Sequence, residues 1–471
     1  MNQNTNQYLA REPIGKLMLK FSVPCIMSLL VSALYNIVDQ IFIGRGVGYL
    51  GNGATNVVFP ITIIALAISL LVGDGSAAYL SICQGMKDEE RAHKSVGNAV
   101  VVIIISGILL TVLFAAFQDK ILWAFGATEN NIGYAREYFS YIVTGIPFFM
   151  FGNAMNSIIR ADGSPQFAML STLIGCIINV ILDPIAIFVL NMGMMGAAAA
   201  TITGQVVTAF LAVYYLFHTK SFRLCKASFR PDRGLLRNTM PLGISSLLTQ
   251  VSIVVIMIVM NNILVTYGAR SKYGADIPLT VVGIVMKVFQ VVVSVVVGIA
   301  AGSQPIVGYN YGAGLHGRVR SIFKNMMIAE ACVGLTAMIC FECFPLQIIG
   351  IFGSESSLYN EFAVLSFRIF LSTIALCCIQ KACSIFLQSL GKPAMSMFIA
   401  LLRDFILSVP LAILLPAFLG VTGALYSAPI ADVISFVAAV FCIRHVLREL
   451  KKEEKAVQVK TRERKNLECA Q

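Results

Sequence analysis

Apolar stretches of about 20 residues, each long enough to cross a hydrocarbon core as a helix, recur along nearly the whole chain. Twelve can be drawn, at 21–43, 54–84, 95–117, 138–160, 166–190, 194–217, 239–266, 279–307, 323–345, 364–388, 395–416 and 421–443. A large soluble core does not need such lengths. Composition points the same way: of 471 residues, 57% are hydrophobic and 13% charged, with a mean hydropathy of +0.81. Soluble domains run at about 25% charged. The polar N-terminus, Met1 to Lys20, is followed by no A-x-A cleavage pattern, so the first stretch reads as a retained span and not a removable signal peptide.

The net charge of +11 invites a nucleic-acid partner, but its distribution excludes one. Basic residues gather in alternate connections: Arg11, Lys16 and Lys20, then Lys87, Arg91 and Lys94, then Arg160, then six between Lys220 and Arg237. Arg318, Arg320 and Lys324 follow, then Lys392 and the tail from Arg444. The intervening loops hold few, Arg45, Lys120, Arg136, Arg270 and Lys272. This is the positive-inside bias, and with an even number of spans it places both termini in the cytoplasm of a multi-pass plasma-membrane protein. The 12 cysteines mostly lie inside spans and read as small buried hydrophobes. Cys340 and Cys343 form a lone CxxC without the second pair a zinc site needs.

The chain repeats itself. "GSAAYLSICQG" (Gly75 to Gly85) matches "GSQPIVGYNYG" (Gly302 to Gly312) at an offset of 227. The same shift carries Arg91 onto Arg318, Phe125-Gly126 onto Phe352-Gly353, and Gly193 and Gly196 onto Gly420 and Gly423. Earlier, Pro24 and Ser28 map onto Pro241 and Ser245 at an offset of 217, the difference falling in the loop from Arg270 to Ile277. Six spans per half makes the halves parallel repeats about an axis along the membrane normal. The expected fold is an all-α polytopic membrane protein, twelve helices in two six-helix bundles around a central cleft. The expected divisions are an N-lobe over 1–217, a cytoplasmic linker over 218–238, a C-lobe over 239–443 and a basic tail over 444–471. "GAGLHG" (Gly312 to Gly317) fits GxGxxG, but it follows a span and not a strand, so it carries no dinucleotide reading.

Polar residues inside spans are costly and face the bundle interior or a wet cavity. Asp39 lies in span 1 with Asn36 a turn before it; Asn153 and Asn156 lie in span 4. Asn179 and Asp183 are stacked on one face of span 5, and Pro184 allows a kink there. Thr201, Thr203 and Gln205 follow the small run Ala197 to Ala200 in span 6, where small residues let helices approach. Two carboxylates with amide and hydroxyl partners suit a cation site, for Na⁺ or for a proton loaded and released by a buried carboxyl; single Asn and Thr residues also fit a role as interhelical hydrogen-bonding glue. Asp39 maps onto Ile256 and Asp183 onto Pro410, so the second half lacks both, which favours function over folding. The second half carries Lys287, Glu330, Lys381, Arg403, Asp404 and Asp432 in its own spans. Pairing among them is expected, Lys287 with Asp432 for one, and Asp432 is a candidate for the substrate cavity.

At these residues the chain resembles the MATE (multidrug and toxic compound extrusion) antiporters, and most of all their bacterial DinF-like and MepA-like branch. "LYNIVDQIFIG" in span 1, "RADGSP" after span 4, "NVILDP" in span 5 and "GAAAAT" in span 6 carry the likeness, which covers nearly the whole chain. It implies export of bulky amphipathic or cationic compounds driven by inward H⁺ or Na⁺. Asp39, Asp183, Asn179, Asn153 and Thr201 match the family's N-lobe cation site, with Na⁺ held at Asp39, Asp183 and Asn179. Another branch uses an acid in span 7, where this chain has Gln250.

The nearest rival is a flippase for lipid-linked sugars. It needs fixed positive charge for pyrophosphate, which only Lys287, Lys381 and Arg403 offer, against two N-lobe carboxylates. A membrane enzyme is disfavoured by the absence of HExxH, GxSxG or a His cluster among four His, and a channel by the two-lobed repeat. A monomer without cofactor, working on small molecules within the bilayer, is the expectation.

Overall fold

The computed structural model describes residues 7–274, 276–350 and 356–468. The Phe352-Gly353 match, the first six residues and the last three of the basic tail lie outside the described residues. The main helices are α1 (Ile14–Gly46), α2 (Tyr49–Met86), α3 (Glu89–Ala116), α4 (Ile132–Ala161), α5 (Pro165–Pro184), α6 (Gly193–Leu216) and α7 (Arg233–Gly268). They continue as α8 (Asp276–Gly312), α9 (His316–Cys343), α10 (Ser357–Phe370), α11 (Ile374–Ser389), α12 (Pro393–Leu401), α13 (Ser408–Leu419) and α14 (Val421–Glu468). Among the described residues there is no strand, and helices suit lipid because each satisfies its backbone polar groups within its own segment. Among the described residues eleven helical runs are long and apolar enough to span, and α10 with α11 makes a twelfth, bent by 45°.

Three irregularities have local causes. Beyond Pro184 the fifth span widens into a π-turn over Ile185–Val189, where the proline removes a backbone donor. The eleventh span carries its own π-turn, Leu402–Leu407, between α12 and α13, and the Ser408 hydroxyl donates back to the Arg403 carbonyl at 2.7 Å. The tenth span, expected to run unbroken over 364–388, breaks at 371–373. There the Ser372 hydroxyl takes the Ile369 carbonyl at 2.8 Å and Thr373 donates to Asp432 at 2.9 Å, side-chain bonds that compete with the helix ladder.

The chain forms two compact units. One comprises Met1–Lys20, Ser81–Glu89 and Ile258–Gln471; the other comprises Phe21–Leu80 and Glu90–Met257. Inside the first, Gly85 and Gly312, paired by the repeat, meet each other. A Cβ on Gly85 would lie 2.1 Å from the Tyr309 carbonyl oxygen, and one on Gly312 would lie 2.1 Å from that of Ile82. The GAGLHG segment there is the turn from α8 to α9, with Gly314 at φ +71°. Inside the second unit, α2 meets α7 as closely: a Cβ on Gly75 would lie 2.5 Å from the Thr239 carbonyl oxygen, and one on Gly243 would lie 1.9 Å from that of Leu71. Only glycine lets these backbones touch.

The connection between α6 and α7 is fastened to its unit. Asn98 of α3 donates to the carbonyls of Ser228 and Arg230 and accepts from the Asp232 N–H at 2.8 Å. Asp162, in the RADGSP turn, holds the other end. Its carboxylate accepts from the Tyr215 hydroxyl at 2.6 Å, from the Lys220 and Ser221 N–H groups at 2.8 and 2.9 Å, and from the Ser221 hydroxyl. Gly163 follows at φ +85°, the left-handed turn that leads into Pro165 at the start of α5.

Candidate cation site

The site lies within the unit of Phe21–Leu80 and Glu90–Met257, where α1, α5 and α6 meet. α1 and α5 share a seam with contacts seven residues apart on each helix. Ser32 hydrogen-bonds the Cys176 thiol, and two turns further on the carboxyl groups of Asp39 and Asp183 come within hydrogen-bonding reach of each other. One more heptad along α1, Gly46 packs on Ile187 of the π-turn, so closely that a Cβ would lie 2.1 Å from its Cγ2, and Phe42 meets Phe188 edge-on at 6.3 Å.

The third wall comes from α6. Gly175 and Gly204 lie against each other's backbones; a Cβ on Gly204 would sit 2.6 Å from the Gly175 carbonyl oxygen. This approach puts Thr201 beside Asn179. With its amide oriented to satisfy both neighbours, Asn179 donates to Asp183 Oδ2 at 3.3 Å. It accepts from the Thr201 hydroxyl and backbone N–H, each at 3.2 Å. The small run of α6 thus does what its composition suggests, and Gly196 likewise fits against Ala186.

Asp39 is 9% exposed and Asp183 is fully buried. Among the described residues neither forms an ion pair with a lysine or arginine, and Asp39 Oδ1 has no partner at all. Two adjacent carboxylates with no basic neighbour repel when both are charged, and a shared proton or a bound cation removes that repulsion. The carboxyl oxygens of Asp39 and Asp183 are hard ligands of the kind an alkali cation accepts, and the Asn179 amide and Thr201 hydroxyl stand beside them. Among the described residues no group of three His, Cys, Asp or Glu side chains could hold a metal ion.

The remaining candidates make other contacts. Asn36 is exposed and donates back to the Ser32 carbonyl at 2.7 Å. Asn153 donates back to Phe149 at 2.8 Å. Asn156 ties α4 to α5 through the Ala168 carbonyl at 2.9 Å and the Thr172 hydroxyl at 3.0 Å. Thr203 is exposed and bonds Ala199 at 2.8 Å, and Gln205 lies against Gly145 of α4. Gln250 is half-buried on α7.

Three residues escape a reading for polar groups near Asp39. Tyr35 and Tyr138 lie within electrostatic reach of both carboxylates. Tyr35 stands four residues before Asp39, on the same helix face. Asp74, in the apolar middle of α2, accepts from Ser157 of α4 at 2.7 Å and from Ser246 of α7 at 2.8 Å. Its flanking glycines explain the reach: a Cβ on Gly73 would lie 2.6 Å from Ala154 Cα, and Gly75 abuts Thr239. A carboxylate between two glycines in an apolar run was the available signal.

The other unit has a neutralised cluster. Arg403 pairs with Asp404 at 2.6 Å and with Asp432 at 2.8 Å, and Lys381 lies 3.7 Å from Asp404. Its guanidinium also sits over the Phe289 ring at 5.9 Å. This corrects the expected pairing of Asp432 with Lys287: Lys287 is exposed, and Asp432 is taken by Arg403, whose planar fork reaches two carboxylates at once. Glu330 is fully buried, with no partner for either carboxyl oxygen among the described residues. Cys340 and Cys343 are free thiols at the end of α9.

With this geometry in hand, comparison with known proteins gives one answer. The MatE family model matches residues 24–185 and 241–414. The chain is similar to the multidrug export protein MepA of Staphylococcus aureus (strain MSSA476), 24% identical over 445 residues, covering 94% of this chain and 96% of that one. MepA of Staphylococcus saprophyticus is likewise 24% identical, over 456 residues, covering 95% and 97%. Among solved structures, a crystal structure of MATE in complex with MaL6 superimposes with a TM-score of 0.87 at 23% identity, covering 94% of this chain and 99% of that one.

Proposed function

The chain belongs to the MatE family, a family of transporters and not of enzymes, and from that premise we propose that it is a cation-coupled antiporter. It exports bulky amphipathic or cationic compounds across the cell membrane by alternating access, with H⁺ or Na⁺ as the ion that runs inward. The observation that carries this reading is the Asp39/Asp183 pair, two neighbouring carboxyls without a basic partner among the described residues. Its relatives named for multidrug export support the substrate class. The positive-inside bias supports cytoplasmic termini, and the presence of both repeats in one chain supports action as a monomer.

In the proposed cycle the ion enters from outside and neutralises the pair. Loss of the repulsion lets α1 move along its seam with α5, which reshapes the cavity on that side and expels the compound outward. The protein then turns inward, releases the ion and rebinds its cargo. The ion drives this only by binding the two states unequally. Asn179 and Thr201 orient the pair and supply neutral oxygens.

The test is efflux from liposomes holding purified protein, under an imposed pH gradient without Na⁺ and under a Na⁺ gradient at equal pH. Asp39→Asn should lower gradient-driven efflux about tenfold or more, the range of ordinary coupling energies, while the folded protein still binds its cargo. Intact gradient-driven efflux in this variant would sink the proposal, and the gradient that drives the wild type identifies the ion.

A further inference from the structure

A groove of about 810 Å³ opens between α9, α11 and α14, all within the unit that contains Ile258–Gln471. Five cations line it, Arg320, Lys324, Arg444, Arg448 and Lys451, and no acid does. Phe323, Met327, Ile328 and Leu447 supply its apolar floor. The acids on this stretch of α14 are engaged: Glu449 with Lys392 and His445, Glu454 with Arg320, while Glu453 faces His316 at 3.6 Å. Among the described residues Lys324, Arg444, Arg448 and Lys451 therefore keep their charge without an acidic partner.

The apolar floor continues beyond the groove. Along α9, Ile328, Leu335 and Ile339 are exposed, turn after turn on the face that carries Lys324. Along α14, Val433, Val437 and Phe441 are exposed just before Arg444 and Arg448. Cations at the mouth and apolar ribs leading away along two membrane helices match one kind of molecule. A phospholipid places its phosphate among the cations and its acyl chains along the ribs. A soluble phosphate would satisfy the charges and leave the floor unused. We propose that this groove binds an anionic phospholipid of the adjoining leaflet, the one the positive-inside bias assigns to the cytoplasm.

The test reads lipid binding to the purified full-length protein by native mass spectrometry, with cardiolipin, phosphatidylglycerol and phosphatidylcholine as probes. The anionic lipids should bind about tenfold or more tightly than phosphatidylcholine. Arg444→Gln with Arg448→Gln should weaken cardiolipin about thirtyfold, from the attraction of two cations near a membrane surface. Arg444→Lys with Arg448→Lys should restore it, which separates lost charge from lost folding. A control pair on the exposed linker, Arg223→Gln with Lys226→Gln, removes the same charge elsewhere and should change binding less than about twofold. Three results overturn the proposal: equal binding of phosphatidylcholine, an equal loss in the linker control, or displacement of the lipid by inorganic pyrophosphate. Because no transport is measured, failure here leaves the efflux reading standing.

Discussion

Asp162 and Asp39 are both acids in motifs of the family, and their surroundings separate them. Asp162 collects four donors from Tyr215, Lys220 and Ser221, more than fifty residues away. Burial raises its carboxyl above the ordinary carboxylate value, and those hydrogen bonds offset part of the rise. It is a fastener. Asp162→Ala should lower stability by about 2–4 kcal/mol, since bonds to a charged acceptor are worth about 1.5–3 kcal/mol each and water replaces part of them at this loop. Thermal unfolding in detergent measures it, and an unchanged midpoint contradicts the fastening role. Asp39 has the opposite environment: another acid, an orphaned oxygen and, among the described residues, no paired cation. The sequence made its cost legible, because a charge in an apolar run is expensive anywhere in a membrane. It did not reveal Tyr138 as a neighbour, since no local pattern says which face of α1 meets α4, whereas Tyr35, four residues before Asp39, follows from helix spacing.

Helix crossings depend on glycines whose partners lie far off in the chain. Gly75, Gly85 and Gly312 are visible as a repeat, yet the repeat does not say that Gly85 meets Gly312 while Gly75 meets Thr239 and Gly243. A Cβ on Gly243 would lie 1.9 Å from a backbone oxygen that cannot step aside. Gly243→Leu should therefore destabilise by more than about 3 kcal/mol, beyond ordinary overpacking. Gly133→Ala on α4, where nothing lies within 4 Å, should be tolerated and gain up to about 1 kcal/mol in helix propensity. Equal unfolding temperatures for the two variants would remove the argument from close approach. The bend in the tenth span also has a distant partner. Its Ser372 and Thr373 are unremarkable in sequence, and the bend depends on Asp432 of α14 standing where Thr373 can reach it.

The proposed orientation can be read from two native thiols. Cys225 is exposed in the connection before α7, and its hydrogen bond with Ser228 at 3.3 Å holds the thiol below the usual value, which favours the reactive thiolate. Cys343 is exposed at the far end of α9. A membrane-impermeant maleimide should label Cys343 and not Cys225 on intact cells, and the reverse on inverted vesicles, as peptide mass spectrometry can show. Labelling of both from one side contradicts the proposed topology.

The number of apolar helices and the all-α class were settled by the order of residues, because apolar length acts locally against a uniform solvent. The presence of an unusual acid in span 1 was settled the same way. Which groups meet that acid was decided by the tertiary structure alone. The seam of α1 with α5, the Gly175–Gly204 approach and the clustering of Arg403 with Asp404 and Asp432 depend on the rotation and spacing of helices. Those are set by packing between distant segments, where van der Waals fit and interhelical hydrogen bonds, and not hydrophobicity, choose the partner.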